Sequence, residues 1–229
     1  MQRDLVKDLE LLEKSGDFWT LGRNNVLLRM IAKGPVFDVG AGSGILTKEL
    51  AKIFQTYALD IDERACQMCR KFTQKVICAP FDKLSSSELP KFGTIIMADV
   101  IEHVNDDVAM LAKAHELLGV GGELIISVPY GNFLWTENDT ARGHVRRYGI
   151  RELRTKVERA GFKVKKIFFW NLLAVFPTLI AKLFSMRVPH EGISESGFNK
   201  LLLSYFENFE NKLRLPIGSA IICKAIREK

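Results

Sequence analysis

The chain has 229 residues, 47% of them hydrophobic, a formal charge of +6 and four cysteines. That length favours a single domain around one core, and the even composition, with no polar tail or fixed-period repeat, excludes disordered, collagenous and solenoid classes. Met1–Lys14 mixes acids, bases and leucines without an apolar signal core, and the cysteines are too few and too unevenly spaced for a disulfide scaffold, so a reducing cytoplasmic setting is expected.

Leu5, Leu9 and Leu12 recur at helical spacing, which predicts a short amphipathic helix over Asp4–Lys14. A break at Gly16–Trp19 precedes a second helix over Asn24–Ala32, which Lys33-Gly34-Pro35 stops. The pattern then changes. Short apolar runs at Val36–Val39, Thr56–Leu59, Val76–Cys78, Thr94–Ala98 and Glu123–Val128 predict strands, with helices between them near Ile45–Phe54, Glu63–Phe72 and Asp106–Leu118. Apolar strands alternating with amphipathic helices imply a doubly wound α/β fold with a mostly parallel sheet covered on both faces. A further helix over Arg151–Ala160, closed by Gly161, leads to a strand at Val164–Phe169. Trp170–Leu215 breaks the alternation and reads as a helical insertion before a last strand, Gly218–Ile226. Its apolar segment Leu172–Met186 contains Pro177 and is too short for a hydrocarbon span. The expected organisation is one domain: cap helices in 1–33, a cofactor-binding core in 34–169, the insertion in 170–216 and the final strand in 217–229.

Cys66 and Cys69 form a C-x-x-C that Cys78 could join, but the pair falls inside a predicted helix with no second pair or histidine nearby. Buried or half-buried thiols are expected, and no metal site. Between Arg142 and Lys166 there are ten Lys/Arg against Glu152 and Glu158. Such a stretch either attracts phosphate, nucleic acid or an anionic membrane, or is a solvated face.

The strongest motif is Val36-Phe37-Asp38-Val39-Gly40-Ala41-Gly42-Ser43-Gly44-Ile45, in which a strand runs through glycines at every second position into a helix. Such glycines allow a tight turn and close approach of backbone to a ligand. Asp60, twenty residues beyond Gly40, ends the second strand, where a carboxylate can accept from both ribose hydroxyls of an adenosine. A dinucleotide fingerprint needs its third glycine at Ile45, and the lysine-serine pair of a phosphate-binding loop is absent. Asp38 is unwelcome beside a pyrophosphate but suits a cationic aminoacyl sulfonium.

In these residues the chain resembles the class I S-adenosylmethionine-dependent methyltransferases. More narrowly, it resembles the small-molecule branch with the ubiquinone-biosynthesis O-methyltransferases (type 11 methyltransferases) and relatives in polysaccharide and lipid pathways. The resemblance covers most of Phe18–Phe169. It rests on Asp38–Gly44, on Asp60 within Leu59-Asp60-Ile61-Asp62, and on Asp82 after Ala79-Pro80-Phe81. Asp99-Val100-Ile101-Glu102-His103-Val104-Asn105-Asp106 and the Leu118–Gly122 turn complete it, with Val120 where proline is usual. It implies a seven-stranded sheet whose last strand is antiparallel, and S-adenosylmethionine as cofactor. The cofactor would be held by Asp38, Gly40, Ala41, Gly42, Ser43, Gly44, Asp60, Ile61, Pro80, Phe81, Asp82, Asp99 and Val100, and closed over by Trp19 and Arg23.

Ligands of doubly wound sheets bind beyond the carboxyl ends of the strands. His103 is therefore the candidate general base, with a helix-entry role as the alternative, and His144 is a second catalytic candidate that could bind an anionic group or clamp the lid, with tying the loop to the sheet as the alternative. Glu102, Tyr130, Asn132, Trp135, Arg146, Arg147 and Tyr148 are candidate acceptor contacts. The resemblance implies methyl transfer to a small molecule, with a hydroxyl of an apolar, lipid- or prenyl-linked or glycan intermediate as the expected acceptor. The apolar insertion beside the basic stretch adds peripheral contact with an anionic membrane as an expectation, and the chain is expected as a monomer or homodimer. Nucleic acid is disfavoured: the Asn/Asp-Pro-Pro-Tyr signature is absent, and Val128-Pro129-Tyr130 resembles it only superficially. A protein acceptor and a non-catalytic scaffolding subunit remain as alternatives.

Overall fold

The computed structural model describes residues 18–183, 197–213 and 215–229. The helix expected over Asp4–Lys14 lies outside them, as do the last residues of the apolar segment Leu172–Met186. Helix α1 (Phe18–Met30) is followed by β1 (Val36–Val39), α2 (Ile45–Ala51), β2 (Thr56–Asp60), α3 (Glu63–Cys69), β3 (Val76–Cys78), β4 (Phe92–Ala98), α4 (Asp107–Leu117) and β5 (Leu118–Pro129). After these come α5 (Glu137–Ala141), α6 (Ile150–Arg159), β6 (Phe162–Trp170), α7 (Val175–Leu183), α8 (Gly197–Tyr205) and β7 (Ala220–Arg227).

The seven strands form one sheet in the order β3-β2-β1-β4-β5-β7-β6. β7 runs antiparallel to both of its neighbours, β5 and β6, while the β3 to β5 half is parallel. The doubly wound sheet expected from the alternation is therefore present, with the helices α7 and α8 inserted before β7. The order reverses at β1, whose neighbours are β2 and β4, so the crevice beyond the ends of β1 and β4 is the natural ligand position.

The continuous apolar strands follow from burial on both faces. Phe37, Ile95, Met97, Leu124 and Ile126 pack with α4 and α6 on one face. Val36, Ile96, Ile125 and Ile222 pack with α1, α2, Trp170 and Phe206 on the other. Adjacent residues thus belong to opposite layers, as the two-residue period of a strand requires.

Two expectations are corrected. Helix α1 already includes Phe18 and Trp19, where a break is expected. It passes through Gly22, where an added Cβ would lie 3.1 Å from Phe206 and 3.3 Å from Trp170, so the glycine lets the helix approach the insertion closely. Second, Cys66 and Cys78 form a disulfide, with Cα atoms 6.1 Å apart. The helical C-x-x-C is not the relevant pair. α3 packs on β3 and brings Cys66 to the strand end, while Cys69 and Cys223 are free and buried.

Candidate functional site

The loop from β1 to α2 owes its shape to its glycines. Gly40, Gly42 and Gly44 all have positive φ, at 72°, 52° and 74°. An added Cβ at Gly40 would sit 2.6 Å from Val100 Cγ2, so a side chain there meets both a strained backbone and a steric block. The Gly40 and Ala41 amides both donate to the Leu59 carbonyl, at 2.8 and 2.9 Å. Asp60 braces the same loop, its Oδ2 accepting from the Gly42 amide at 2.8 Å and its Oδ1 from the Asp62 amide at 3.0 Å.

Asp38 is buried beneath the loop and accepts from Thr47 Oγ1 at 2.7 Å. Burial raises its pKa to about 6, against the lowering effects of the Thr47 bond and of Arg23. A small cavity lies here, lined by Arg23, Asn24, Asp38, Gly40, Ser43 and Ala98. Asp99 follows β4 with φ 57°, its Oδ1 accepting from Ser127 Oγ at 2.8 Å and its Oδ2 ion-paired with Arg23. Arg23 thus joins α1 to the end of β4, and Asp38, Gly40, Arg23, Asp99 and Val100 converge at the topological reversal.

A second cluster lies on the turn just after β4. Glu102 is fully buried, and neither carboxylate oxygen has a hydrogen-bond partner among the described residues. Burial, with Asp99 nearby, pushes its pKa well above the ordinary carboxylate range. His103 is exposed at its edge, and the rings of His103 and His144 meet edge-on with centroids 4.7 Å apart. Partial desolvation, then the neighbouring His144, lowers the His103 pKa. His144 Nδ1 lies 2.9 Å from Asp139 Oδ1. Arg147 grips the same carboxylate through Nε to Oδ1 at 2.8 Å and an η-nitrogen to Oδ2 at 2.9 Å. Burial alone would raise the Asp139 pKa, but the His144 and Arg147 bonds outweigh it and hold the group well below the ordinary range. The Val145 amide donates to the Glu102 carbonyl at 2.8 Å, which ties the two segments together.

The remaining expected residues divide. Exposed Ile61, Pro80 and Asp82 lie on the segments that follow β2 and β3, on the rim beside Asp60. Phe81 instead turns inward, its ring 5.9 Å from that of Phe37 in the core. Trp19 packs edge-on against Trp170 at 5.6 Å. Tyr130 stacks edge-on with Phe133 and Phe169 beyond β5, and Asn132 Oδ1 accepts from the Arg147 amide at 3.3 Å. Trp135 Nε1 donates to Thr140 Oγ1 at 3.3 Å. Tyr148 does not face the cleft: it is completely buried, and its hydroxyl donates toward Asp107 Oδ2 at 2.7 Å and the Ile101 carbonyl at 3.1 Å. Arg146 likewise pairs with Asp107, at 2.9 Å. Six of the ten basic residues in the 142–166 stretch, Arg146, Arg147, Arg154, Lys156, Lys163 and Lys165, are engaged in ion pairs, which reduces the field that the sequence suggests.

Asp139 and Asp107, which organise these bases, are absent from the expected residues. The signal for Asp139 was local: Thr136 and Asp139 form a capping box at the start of α5, with the Thr136 amide donating to Asp139 Oδ2 at 2.8 Å. The signal for Asp107 was its place as the first residue of α4, next to the Asp106 cap.

Comparison with known proteins bears on the fold and the family. A ubiquinone biosynthesis O-methyltransferase from Xanthomonas euvesicatoria is 26% identical over 42% of this chain, and the match spans 44% of that relative's length. A Haloferax volcanii methyltransferase, solved in complex with the Trm112 methyltransferase activator, superposes with a TM-score of 0.66 at 15% identity, covering all of both chains. The N-methyltransferase NodS from Bradyrhizobium japonicum, solved with S-adenosyl-L-homocysteine, superposes at 0.60 with 14% identity over 99% of this chain and 100% of its own. At these identities the superpositions establish the shared fold. The methyltransferase-domain family model matches residues 14–167, about two thirds of the sequence, and the chain belongs to that family.

Proposed function

We propose that this methyltransferase takes its methyl group from S-adenosylmethionine and passes it to an oxygen of an apolar small molecule. The observation that carries the reading is the convergence at the β1/β4 reversal of the glycine loop, Asp60, Asp38 and the Arg23–Asp99 pair. On this reading Asp60 accepts from the ribose hydroxyls, and Asp38 with Asp99 faces the cationic amino-acid end. Family membership and the NodS complex with S-adenosyl-L-homocysteine support the same ligand.

The acceptor side is framed by the Glu102–His103–His144 cluster. Exposed Phe133 follows β5, and Lys182 Nζ donates to its carbonyl at 2.8 Å, which ties α7 to the segment after β5. α7 adds exposed Phe176, Ile180 and Leu183. An apolar rim beside titratable nitrogen fits a greasy molecule carrying a hydroxyl. A sulfonium is already an activated donor, so alignment of donor and acceptor supplies most of the catalysis, and a base only removes the hydroxyl proton.

The test is incubation of the purified protein with methyl-labelled S-adenosylmethionine and cell extract, followed by fractionation. Label in the organic-soluble fraction supports the apolar acceptor. Label confined to aqueous small molecules removes the apolar element, and label in nucleic acid or protein overturns the acceptor class.

A further inference from the structure

The Cys66–Cys78 disulfide borders the part of the cleft that Asp60 occupies. Cys78 is the last residue of β3 and pairs in register with Asp60, the last residue of β2. Cys66 lies one turn into α3, whose cap residue Asp62 donates its amide to Asp60 Oδ1 at 3.0 Å. The bond therefore ties together the segments that follow β2 and β3, which carry the rim residues Ile61, Pro80 and Asp82.

The wall formed by β3 is otherwise lightly held. It is an edge strand, three residues long and half-buried throughout, paired on one side with β2. Short edges with few buried contacts are among the parts of a fold that open most easily. α3 also reaches the glycine loop: Cys69 Sγ lies 3.8 Å from the Gly42 carbonyl oxygen, and the Gly42 amide donates to Asp60. A shift of α3 is thus felt at the loop and at Asp60 together.

We propose that Cys66 and Cys78 form a reversible redox site that sets the affinity for the adenosine half of the cofactor. Closed, the bond holds the end of β3 and the segment 79–82 against Asp60; opened, it releases them, and the cofactor must reorder that wall on binding. The proposal rests on the placement of the ribose at Asp60.

Three features suit a switch rather than a fixed staple. Cys78 is half-buried whereas Cys66 is fully buried, so Cys78 offers the sulfur open to attack. Carbonyl oxygens already stand near both sulfurs, those of Asp60 and Ile77 at 3.6 and 3.8 Å from Cys66 Sγ and that of Asp62 at 3.9 Å from Cys78 Sγ. Each thiol of the reduced protein therefore has an acceptor at hand. One bond among four cysteines is also no scaffold, and in reducing compartments such isolated disulfides are as a rule redox-responsive.

The exchange balances with a dithiol as reductant. One of its thiolates attacks Cys78 Sγ, the Cys66–Cys78 bond breaks, and Cys66 leaves as a thiolate that takes up a proton. The second thiolate then attacks the reductant's own sulfur in the mixed disulfide, and Cys78 departs and is protonated. Two electrons and two protons pass to the protein, the reductant is left as its disulfide, and a small disulfide oxidant reverses the process.

The experiment measures S-adenosyl-L-homocysteine affinity by calorimetry for the full chain when oxidised, after dithiothreitol, and after reoxidation with glutathione disulfide. Reduction should weaken binding about fivefold or more, as when the competent state falls to roughly a fifth of the population, and reoxidation should restore it. Cys78→Ser, which cannot close the bond, should bind like the reduced protein and ignore the reductant; circular dichroism melting confirms that it is folded. Hydrogen exchange should quicken over residues 76–82 on reduction. Affinity or exchange that is the same in both states of the wild type overturns the proposal, as does an equal loss when folded Cys78→Ser is reduced. Binding that ignores the redox state fails this proposal alone, whereas no binding in either state removes the cofactor assignment as well.

Discussion

Asp139 sits between His144 and Arg147, accepting from the imidazole at 2.9 Å on one oxygen and from the guanidinium on both. The Asp139 and Arg147 side chains are only 2% and 10% exposed, so removing the negative charge strands a nearly buried cation. Asp139→Asn is expected to destabilise the fold by about 3 kcal/mol at pH 7, as loss of one partner of a buried pair does.

The pH dependence of that loss has a definite sign. The folded-state pKa of Asp139 is depressed, so its contribution is present above the ordinary carboxylate pKa and is lost as pH falls below it. Urea unfolding of wild type and Asp139→Asn should differ most above about pH 5, and the gap should narrow steadily as pH falls from there toward 2. A gap that persists undiminished in acid would show that packing, not charge, is what Asp139 supplies.

Asp38 behaves in the opposite sense. Burial raises its folded pKa to about 6 from 3.8, so the folded state holds a proton that the unfolded chain releases. The stabilisation from that proton is complete below the unfolded value and disappears as pH rises through about 6. At pH 7.5 the buried carboxylate therefore costs stability, and Asp38→Asn should raise it by about 1–3 kcal/mol. The same variant should bind S-adenosylmethionine less tightly, because the ligand's positive charge no longer meets an ionised acid. Wild-type affinity should climb from pH 5 to 7, whereas Asp38→Asn stays flat over that range. A variant that is neither more stable nor weaker in binding would remove Asp38 from the cofactor site.

The disulfide makes a chemical prediction. Thiol titration of the denatured, unreduced protein should find the two sulfurs of Cys69 and Cys223 and leave Cys66 and Cys78 unreactive until reductant is added. Reduction should lower stability by about 2–3 kcal/mol, the loop-closure value for a short crosslink, since the cysteines are separated by only 12 positions. Four reactive thiols without reductant would mean that the pair is open in solution.

How far the sequence could reach is clear from particular residues. β1 and β3 match the expected Val36–Val39 and Val76–Cys78, because short apolar runs bounded by turns leave little freedom. The glycine loop was equally legible, since three positive-φ positions at alternate residues demand glycine. Tertiary partners were not. Nothing local distinguishes Tyr148, whose hydroxyl is buried on Asp107, from an acceptor contact, and the Cys66–Cys78 pairing depends on how α3 packs on β3. The extent of α1 depends on such contacts too: local composition suggests a break at Gly16–Trp19, whereas the helix includes Trp19 and runs through Gly22, whose bare Cα lets it lie against Phe206 and Trp170.

Asp60 offers the sharpest test of the cofactor site, because its structural and binding roles can be separated. It accepts from the Gly42 and Asp62 amides, so Asp60→Ala removes a loop brace as well as a ribose acceptor. Affinity for S-adenosyl-L-homocysteine should fall by about 1–3 kcal/mol, the scale of a lost charge-assisted hydrogen bond. That loss alone does not decide between the two roles. A 2′-deoxy analogue does: it should bind wild type more weakly than the parent ligand does, but bind Asp60→Ala with nearly the parent's affinity. The interaction energy in this cycle isolates the carboxylate–hydroxyl contact from the brace. If calorimetry shows the deoxy penalty unchanged in the variant, Asp60 only shapes the loop and the ribose is held by another group.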